Sequence, residues 1–116
     1  YRSLSLTTDT SAITGISNDF HFNEIFSRQI EGIGRAGDFL VVFTTSGNSQ
    51  NILLALEKAK EIGVHTIAFL GKDGGKIKDL ADIEFLVNAK ETARIQEVHT
   101  VMAHTLCQII EVECEK

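Results

Sequence analysis

The 116-residue chain contains no proline and no tryptophan, one methionine, one tyrosine and only two cysteines. No apolar run approaches the ~18 residues that a bilayer-spanning helix needs, so nothing reads as a membrane span. Basic residues are in deficit, 11 Lys and Arg against 16 Asp and Glu, for a formal net charge of −5. That balance argues against a nucleic-acid binder held by phosphate contacts, and against a basic helix lying on a membrane surface. There is no internal repeat, no low-complexity tract and no linker, and the length fits one compact domain, not two. No secretory signal pattern opens the chain. It begins on Tyr1 instead of Met, so we expect a portion of something longer. The missing proline points to no function.

What is present describes a folded domain. A hydrophobic fraction of 43% against 23% charged residues excludes disorder, and a chain of this size can bury a core without disulfide or metal staples. Cys107 and Cys114 fall in one predicted helix, about 10 Å apart along its axis and too far for a disulfide. Two free thiols suit a reducing compartment, so a cytoplasmic location is expected.

Short apolar runs alternate with helical stripes. Leu4–Thr8, Phe39–Phe43, Thr66–Leu70 and Ile83–Val87 are rich in β-branched, aromatic or hydroxyl residues and bounded by Gly, Asp and Ser. They read as four strands buried on both faces. Phe22, Ile25, Phe26, Ile30 and Ile33 recur at helical spacing before Gly34, as do Ile52, Leu53, Leu56, Ala59 and Ile62 before Gly63. A short helical turn is expected around Lys76–Ala81. The longest stripe, Ile95, Val98, Met102, Leu106, Ile109 and Ile110, predicts a helix from about Thr92 to Glu115. Strand–helix alternation with short connections implies right-handed crossovers and a parallel sheet covered by helices on both faces. The fold class is therefore α/β, a three-layer αβα sandwich. Ligands of such sheets bind outside the strands' carboxyl ends, which directs attention to the loops after Thr8, Phe43, Leu70 and Val87.

The loop after Phe43 carries most chemistry. Thr44-Thr45-Ser46-Gly47-Asn48-Ser49 leads straight into the next helix, placing four hydroxyls and a run of backbone N–H groups at a helix N-terminus. Unpaired donors and the helix dipole there favour an anion. No Lys follows, so this is not a nucleotide loop of the Walker type; neutral donors suit a phosphate monoester. The competing reading is that Ser and Thr merely cap the helix. Gly71-Lys72-Asp73-Gly74-Gly75 reads as a tight turn. Asn18 and Asp19 serve either as a cap before the first helix or as contacts to a sugar's hydroxyls.

The last helix interleaves Arg94, Gln96, Glu97, His99, Thr100, His104 and Gln108 with its apolar stripe. His104, between Ala103 and Thr105, is expected to be buried. Glu97 and His104 share a face, as a proton-transfer pair or a plain ion pair. Gln96 and His104 are roughly 12 Å apart along the axis and about 80° apart around it. They reach one ligand only by leaning together or by acting from different protomers, and alone they fall short of the three or four donors zinc takes.

Several segments occur in a telling order: Thr7-Thr8-Asp9-Thr10-Ser11-Ala12, Asn18-Asp19-Phe20, Phe26-Ser27-Arg28-Gln29, the Thr45–Ser49 loop, Gly71–Gly75, and Thr92-Ala93-Arg94-Ile95-Gln96-Glu97-Val98-His99. Together they resemble the sugar isomerase (SIS) fold, and specifically the phosphoheptose isomerase family, across essentially the whole chain. The resemblance implies a Rossmann-like or flavodoxin-like sheet. It also implies interconversion of sedoheptulose 7-phosphate and D-glycero-D-manno-heptose 7-phosphate through an enediol, in bacterial lipopolysaccharide heptose synthesis. By position, Thr44, Thr45, Ser46 and Ser49 would grip the phosphate, and Asn18, Asp19 and Gln96 would contact the substrate. Gln96 and His104 would ligate a zinc ion, one per subunit, with His104 also the catalytic residue for proton transfer. A homotetramer with sites at subunit contacts is implied as well. The family's N-terminal portion, with helices, a first strand, a Gly-rich loop, a His zinc ligand and a Glu general base, is absent from this sequence. The alternative is a non-catalytic SIS module that binds a phosphosugar or a replication initiator; His104 favours the enzyme. An isomerase for another phosphosugar, such as arabinose 5-phosphate, is disfavoured by Arg94–Glu97.

Overall fold

The computed structural model describes residues 2–115. Its centre is a parallel sheet in the order β1-β2-β3, with β1 Phe39–Thr44, β2 His65–Gly71 and β3 Ile83–Val87. All three coincide with predicted runs. The pairing is in step at the carboxyl end, Thr44 opposite Leu70 and Gly71 opposite Val87.

Alternation along the strands divides the core in two. Val42, Ala68 and Leu70 point one way and pack with Leu56 and the partly buried Leu53 of α3, Gln50–Glu61. Behind them α2, Ser27–Ile33, adds Ile30 against Ala55 and Ala59. Phe43, Phe69 and Phe85 point the other way and stack across the three strands, with ring centroids 4.7 and 5.1 Å apart. Helix α4, Thr92–Cys114, crosses that face. The result is the expected three-layer α/β sandwich.

Several expectations are corrected. Leu4–Thr8 is not a strand. An extended segment persists only where its backbone donors and acceptors find a ladder, and no strand pairs with it among the described residues. Instead Thr8 N and Oγ1 turn back to Ser5 O, and Leu6 O accepts from Gln29 Nε2. The sheet thus has three strands, not four. A helix that the sequence reading missed follows at once: α1, Thr10–Asp19, is N-capped by Asp9, whose Oδ1 accepts from Ala12 N at 3.0 Å. Its half-buried Ala12, Ile13, Ile16 and Ser17 form one stripe. Residues 22–33 hold a 3₁₀ turn, Phe22–Glu24, and then α2, not one helix. The turn expected at Lys76–Ala81 is a 3₁₀ turn at Gly75–Ile77.

Helix α4 has the predicted extent but not the predicted burial. Of its apolar stripe only Ile95 is buried; Val98, Ile109 and Ile110 are 40–54% exposed. Twenty-three residues run about 35 Å, whereas strands of five to seven residues span roughly 17–24 Å. The helix overruns the sheet. Cys107 and Cys114, on the overrun, are exposed free thiols. Among the described residues no helix is long and apolar enough to cross a membrane.

At the opposite end of the sheet, β3 is tied to β2 by Asp82. Its Oδ2 accepts from Thr66 N and Oγ1 at 2.7 and 2.8 Å, while Asp82 N donates to Thr66 Oγ1 at 2.9 Å. These bonds to Thr66 hold the carboxyl below the usual carboxylate range. A depressed folded-state pKa stabilises the protein above the unfolded value and loses that effect as pH falls through the folded one. Asp82→Asn is therefore expected to lower the denaturant midpoint at pH 7, and the gap to wild type should close as pH drops below about 4. Denaturant titrations of both proteins across that range check this; a gap that stays constant with pH contradicts it.

Candidate functional site

Two loops meet at the carboxyl edge of the sheet. The Thr44–Ser49 loop leaves β1, and the Gly71–Gly75 loop leaves β2. They touch backbone to backbone: Gly47, at φ +64°, lies so close to the Gly74 carbonyl that any Cβ would run into it. Ile77 N donates to Gly47 O at 3.1 Å. Asn48 clamps the pair, its Oδ1 accepting from Lys76 N and its Nδ2 donating to Ser46 O. The glycine-rich segment, expected as a tight turn, is thus also a brace for the hydroxyl loop.

Within the hydroxyl loop the side chains differ in duty. Thr44 is buried and its Oγ1 accepts from Gly47 N at 3.1 Å. Ser46 Oγ accepts from Asn48 N at 3.2 Å. Both bonds leave the hydroxyl proton free to donate. Ser49 stands at the N-cap of α3 yet makes no side-chain cap bond, so its hydroxyl is uncommitted beside the unpaired first N–H groups of the helix. The simple capping reading of this loop does not hold at Ser49.

Across from the loop stands the first half of α4. Gly71, at the end of β2, brings them together: a Cβ there would collide with the Thr45 carbonyl and stand 2.7 Å from Ile95 Cγ2. Ile95 is fully buried at this junction. Between the walls lies a pocket of about 670 Å³ lined by Phe43, Thr44, Thr45, Ser46, Ser49, Gln96, His99, Thr100, Ala103 and His104. Six of the eight residues singled out from sequence meet here. No carboxylate lines the pocket, although the chain carries 16 acidic residues. A second cavity of about 670 Å³, between α3 and the 3₁₀ turn, is lined by Glu24, Glu57 and Glu61, so the contrast is local.

The sequence profile of the SIS domain matches residues 1–71. The chain belongs to the SIS domain family. It is 52% identical over 108 residues to the phosphoheptose isomerase of Helicobacter pylori strain Shi470, covering 93% of this chain and 56% of that protein. Identity to the phosphoheptose isomerase of Clostridium acetobutylicum is 49% over 110 residues, covering 95% and 56%. Among solved structures, phosphoheptose isomerase GmhA from Neisseria gonorrhoeae superposes with a TM-score of 0.88 at 48% identity, over 92% of this chain and 61% of that one. The phosphoheptose isomerase from Francisella tularensis gives 0.90 at 40% identity, over 92% and 58%. The chain spans about half the length of the curated relatives it matches.

The remaining expectations fare unevenly in this SIS chain. Asn18 and Asp19 do not reach the pocket. They end α1 instead of preceding the first helix, and Asn18 Nδ2 donates to Asp19 Oδ1 at 3.0 Å on an exposed turn. His104 is exposed, not buried, because α4 has begun to leave the sheet at that point. Glu97 makes an ion pair with Arg94 at 2.7 Å, an exposed pair worth little to stability, and not with His104. The buried histidine is His99, 5% exposed, with Nε2 2.9 Å from Leu70 O. Phe43, His99, Thr100 and Ala103 were not singled out as lining residues. The signal for the last three was available: positions three, four and seven after Gln96 share its helix face.

For zinc, this chain brings two donors, Gln96 and His104, to one wall of the pocket. Among the described residues no group of three or more His, Cys, Asp and Glu is placed to hold a metal ion. Two donors are half a tetrahedral shell. These residues alone do not make a zinc site.

Two variants probe the loop. Gly47→Ala forces a Cβ into the Gly74 carbonyl in the left-handed region, and is expected to cost about 1–3 kcal/mol in unfolding free energy; denaturant unfolding checks it. Ser46→Ala with Ser49→Ala removes two hydroxyl donors, and should weaken calorimetric binding of a sugar phosphate at least tenfold, about 1.4 kcal/mol. Unchanged affinity in the double variant counts against a phosphate site.

Proposed function

We propose that the protein containing this chain is a phosphoheptose isomerase, converting sedoheptulose 7-phosphate to D-glycero-D-manno-heptose 7-phosphate for bacterial lipopolysaccharide heptose. The observation that carries the reading is the facing of the hydroxyl loop and Gln96/His104 across one carboxylate-free pocket, in a chain about half identical to phosphoheptose isomerases. A sugar phosphate bound here puts its dianion on the N-terminus of α3, where dipole, N–H groups and the Ser46 and Ser49 hydroxyls all favour negative charge. Its carbon chain then extends towards α4, because that is the only other wall these residues build.

Aldose–ketose isomerisation moves a proton between neighbouring carbons. A base takes a proton from C1 of the ketose while an acid protonates the C2 carbonyl oxygen, giving the 1,2-enediol. A proton delivered to C2 and one withdrawn from the C1 hydroxyl then give the aldose. His104 is the exposed titratable group on the α4 wall and serves as one proton carrier; Gln96 donates or accepts hydrogen bonds to the sugar oxygens. The second proton carrier is not among the pocket residues of this chain, so it comes from another segment or another copy. A zinc ion enters the reading only as one shared with donors outside these residues, where it would polarise the carbonyl. The homotetramer is part of the same proposal: the apolar residues that α4 leaves exposed, Val101, Ile109, Ile110 and Val112, call for a covering surface. So are Asn18 and Asp19 as sugar contacts, in a site completed by a neighbouring subunit. Exposed free thiols at Cys107 and Cys114 suit a cytoplasmic setting.

The test is turnover of sedoheptulose 7-phosphate by the full-length protein, with and without a chelator. We expect turnover in the wild type, and loss of at least about a thousandfold in kcat for His104→Ala with sugar-phosphate binding retained. Retained activity in that variant removes His104 from the chemistry. A folded wild type that binds the sugar phosphate without turning it over would instead mark a non-catalytic SIS module.

A further inference from the structure

We infer that His99 is a positioning residue that couples the α4 wall of the pocket to its phosphate-binding wall; this rests on the isomerase reading above. Only Ile95 and His99 of α4 are buried. Ile95 is an apolar contact that tolerates sliding, whereas His99 makes a directional one. Its Nε2 lies 2.9 Å from the carbonyl oxygen of Leu70, next to last in β2. A carbonyl only accepts, so Nε2 carries the proton and donates. Leu70 pairs in register with Thr44 of β1, and Thr44 Oγ1 in turn receives Gly47 N. Two hydrogen bonds joined by one in-register strand pair therefore connect the α4 wall to the hydroxyl loop.

The ring is fixed in orientation as well as in distance. It meets Phe69 edge-on, with centroids 6.0 Å apart and planes at 68°, and Phe43 at 6.0 Å and 58°. Phe43 and Phe69 are themselves stacked at 4.7 Å, so the imidazole is held by a rigid pair. Around His99 on the helix, Gln96 stands three residues before, and Thr100 and His104 one and five after, all lining the pocket. Rotating or sliding α4 by a fraction of a turn would move these together. His99 sets that rotation. Its own ring is buried with one nitrogen engaged, which suits it to hold its neighbours in place and not to exchange protons with a sugar.

The experiment uses the full-length protein with two variants. His99→Phe keeps a ring and loses the donor; His99→Gln keeps an N–H near the same place. His99→Phe is expected to lower kcat for sedoheptulose 7-phosphate at least tenfold, normalised to folded protein, with KM within about twofold, because the phosphate grip is built on β1 and α3. His99→Gln should recover most of that loss without recovering thermal stability. A purely structural role predicts the opposite, kcat following Tm through both variants, and that result overturns the inference. So does wild-type kcat in His99→Phe. If the wild type itself does not turn over this sugar, the isomerase reading fails separately, and side-chain NMR decides the coupling. The Gln96 amide and His104 ring signals should shift in His99→Phe while the Ser49 amide does not; unmoved α4 signals overturn it. Should His99→Phe fail to fold, the wild-type imidazole ¹H–¹⁵N pattern still tests the premise. An Nε2–H tautomer is expected, and an Nδ1–H tautomer overturns it.

Discussion

The structure depends on β2 being buried on both faces. Every residue from Thr66 to Gly71 is removed from solvent, and the run alternates two roles. Ala68 and Leu70 belong to the α3 layer, Phe69 to the α4 layer. Residues of a strand that alternate in this way cannot slip by one position without exchanging the two layers, so register and layer order are a single constraint. The carboxyl end of β2 inherits that precision. Leu70 and Gly71 are where the hydroxyl loop, the bracing turn and the first turns of α4 converge, and each meets the strand through backbone atoms or through a glycine that leaves room. A site assembled this way needs few charged residues, because its geometry is carried by main chain.

The three strands and helices α3 and α4 were legible because five-residue apolar runs between turn signals, alternating with helical stripes, leave few alternatives. Where the reading failed, the reason is neighbourhood, not composition. Leu4–Thr8 has strand chemistry, but no strand lies beside it among the described residues, and hydroxyls at Ser5 and Thr8 satisfy the backbone locally. Asp9 was the visible start of α1, with Ala12, Ile13 and Ile16 following at helical spacing. Reading Leu4–Thr8 as a strand concealed that cap, and displaced Asn18 and Asp19 from the end of one helix to the start of the next. On α4 the periodic stripe was real, but periodicity reports which face is apolar and not how far the partner extends. The sheet ends before the helix does. For the same reason the expected buried histidine lay five residues too late: His99 is over the sheet, and His104 is beyond its shelter.

The candidate site was more legible than its surroundings. A hydroxyl-rich loop between a β run and a helix has a mechanical meaning that survives errors elsewhere, because strand and helix together place it at a sheet's carboxyl edge. What the sequence concealed was division of labour within the loop. Thr44 and Ser46 each accept a loop N–H, Asn48 holds the neighbouring turn, and Ser49 makes no side-chain cap bond at the helix start. The same hydroxyl chemistry thus builds the cradle and fills it. Asn48 shapes the loop from the side, through its bonds to Ser46 O and Lys76 N.

The anion site proposed for a chain of net charge −5 is a contradiction only if charge is averaged. Fields from exposed carboxylates fade over a Debye length of about 8 Å at physiological ionic strength, whereas a helix N-terminus acts at contact distance. What matters is the immediate lining, and there the carboxylates are excluded: Glu24, Glu57 and Glu61 gather at the far cavity while none enters the pocket between α3 and α4. Neutral donors serve this purpose better than Lys or Arg would. A hydroxyl and a main-chain N–H stabilise a dianion without placing a mobile cation where a carbonyl must later be polarised and a proton moved. On the proposed function the chemistry is separated in space: fixed dipoles on the α3 side would hold the phosphate, and His104 would act from the α4 side. A proton carrier on one helix and an anchor on another act on the same molecule only if the helices keep a fixed relation. That requirement falls on the carboxyl end of β2, where Leu70 is in register with Thr44 and its carbonyl oxygen lies 2.9 Å from His99 Nε2.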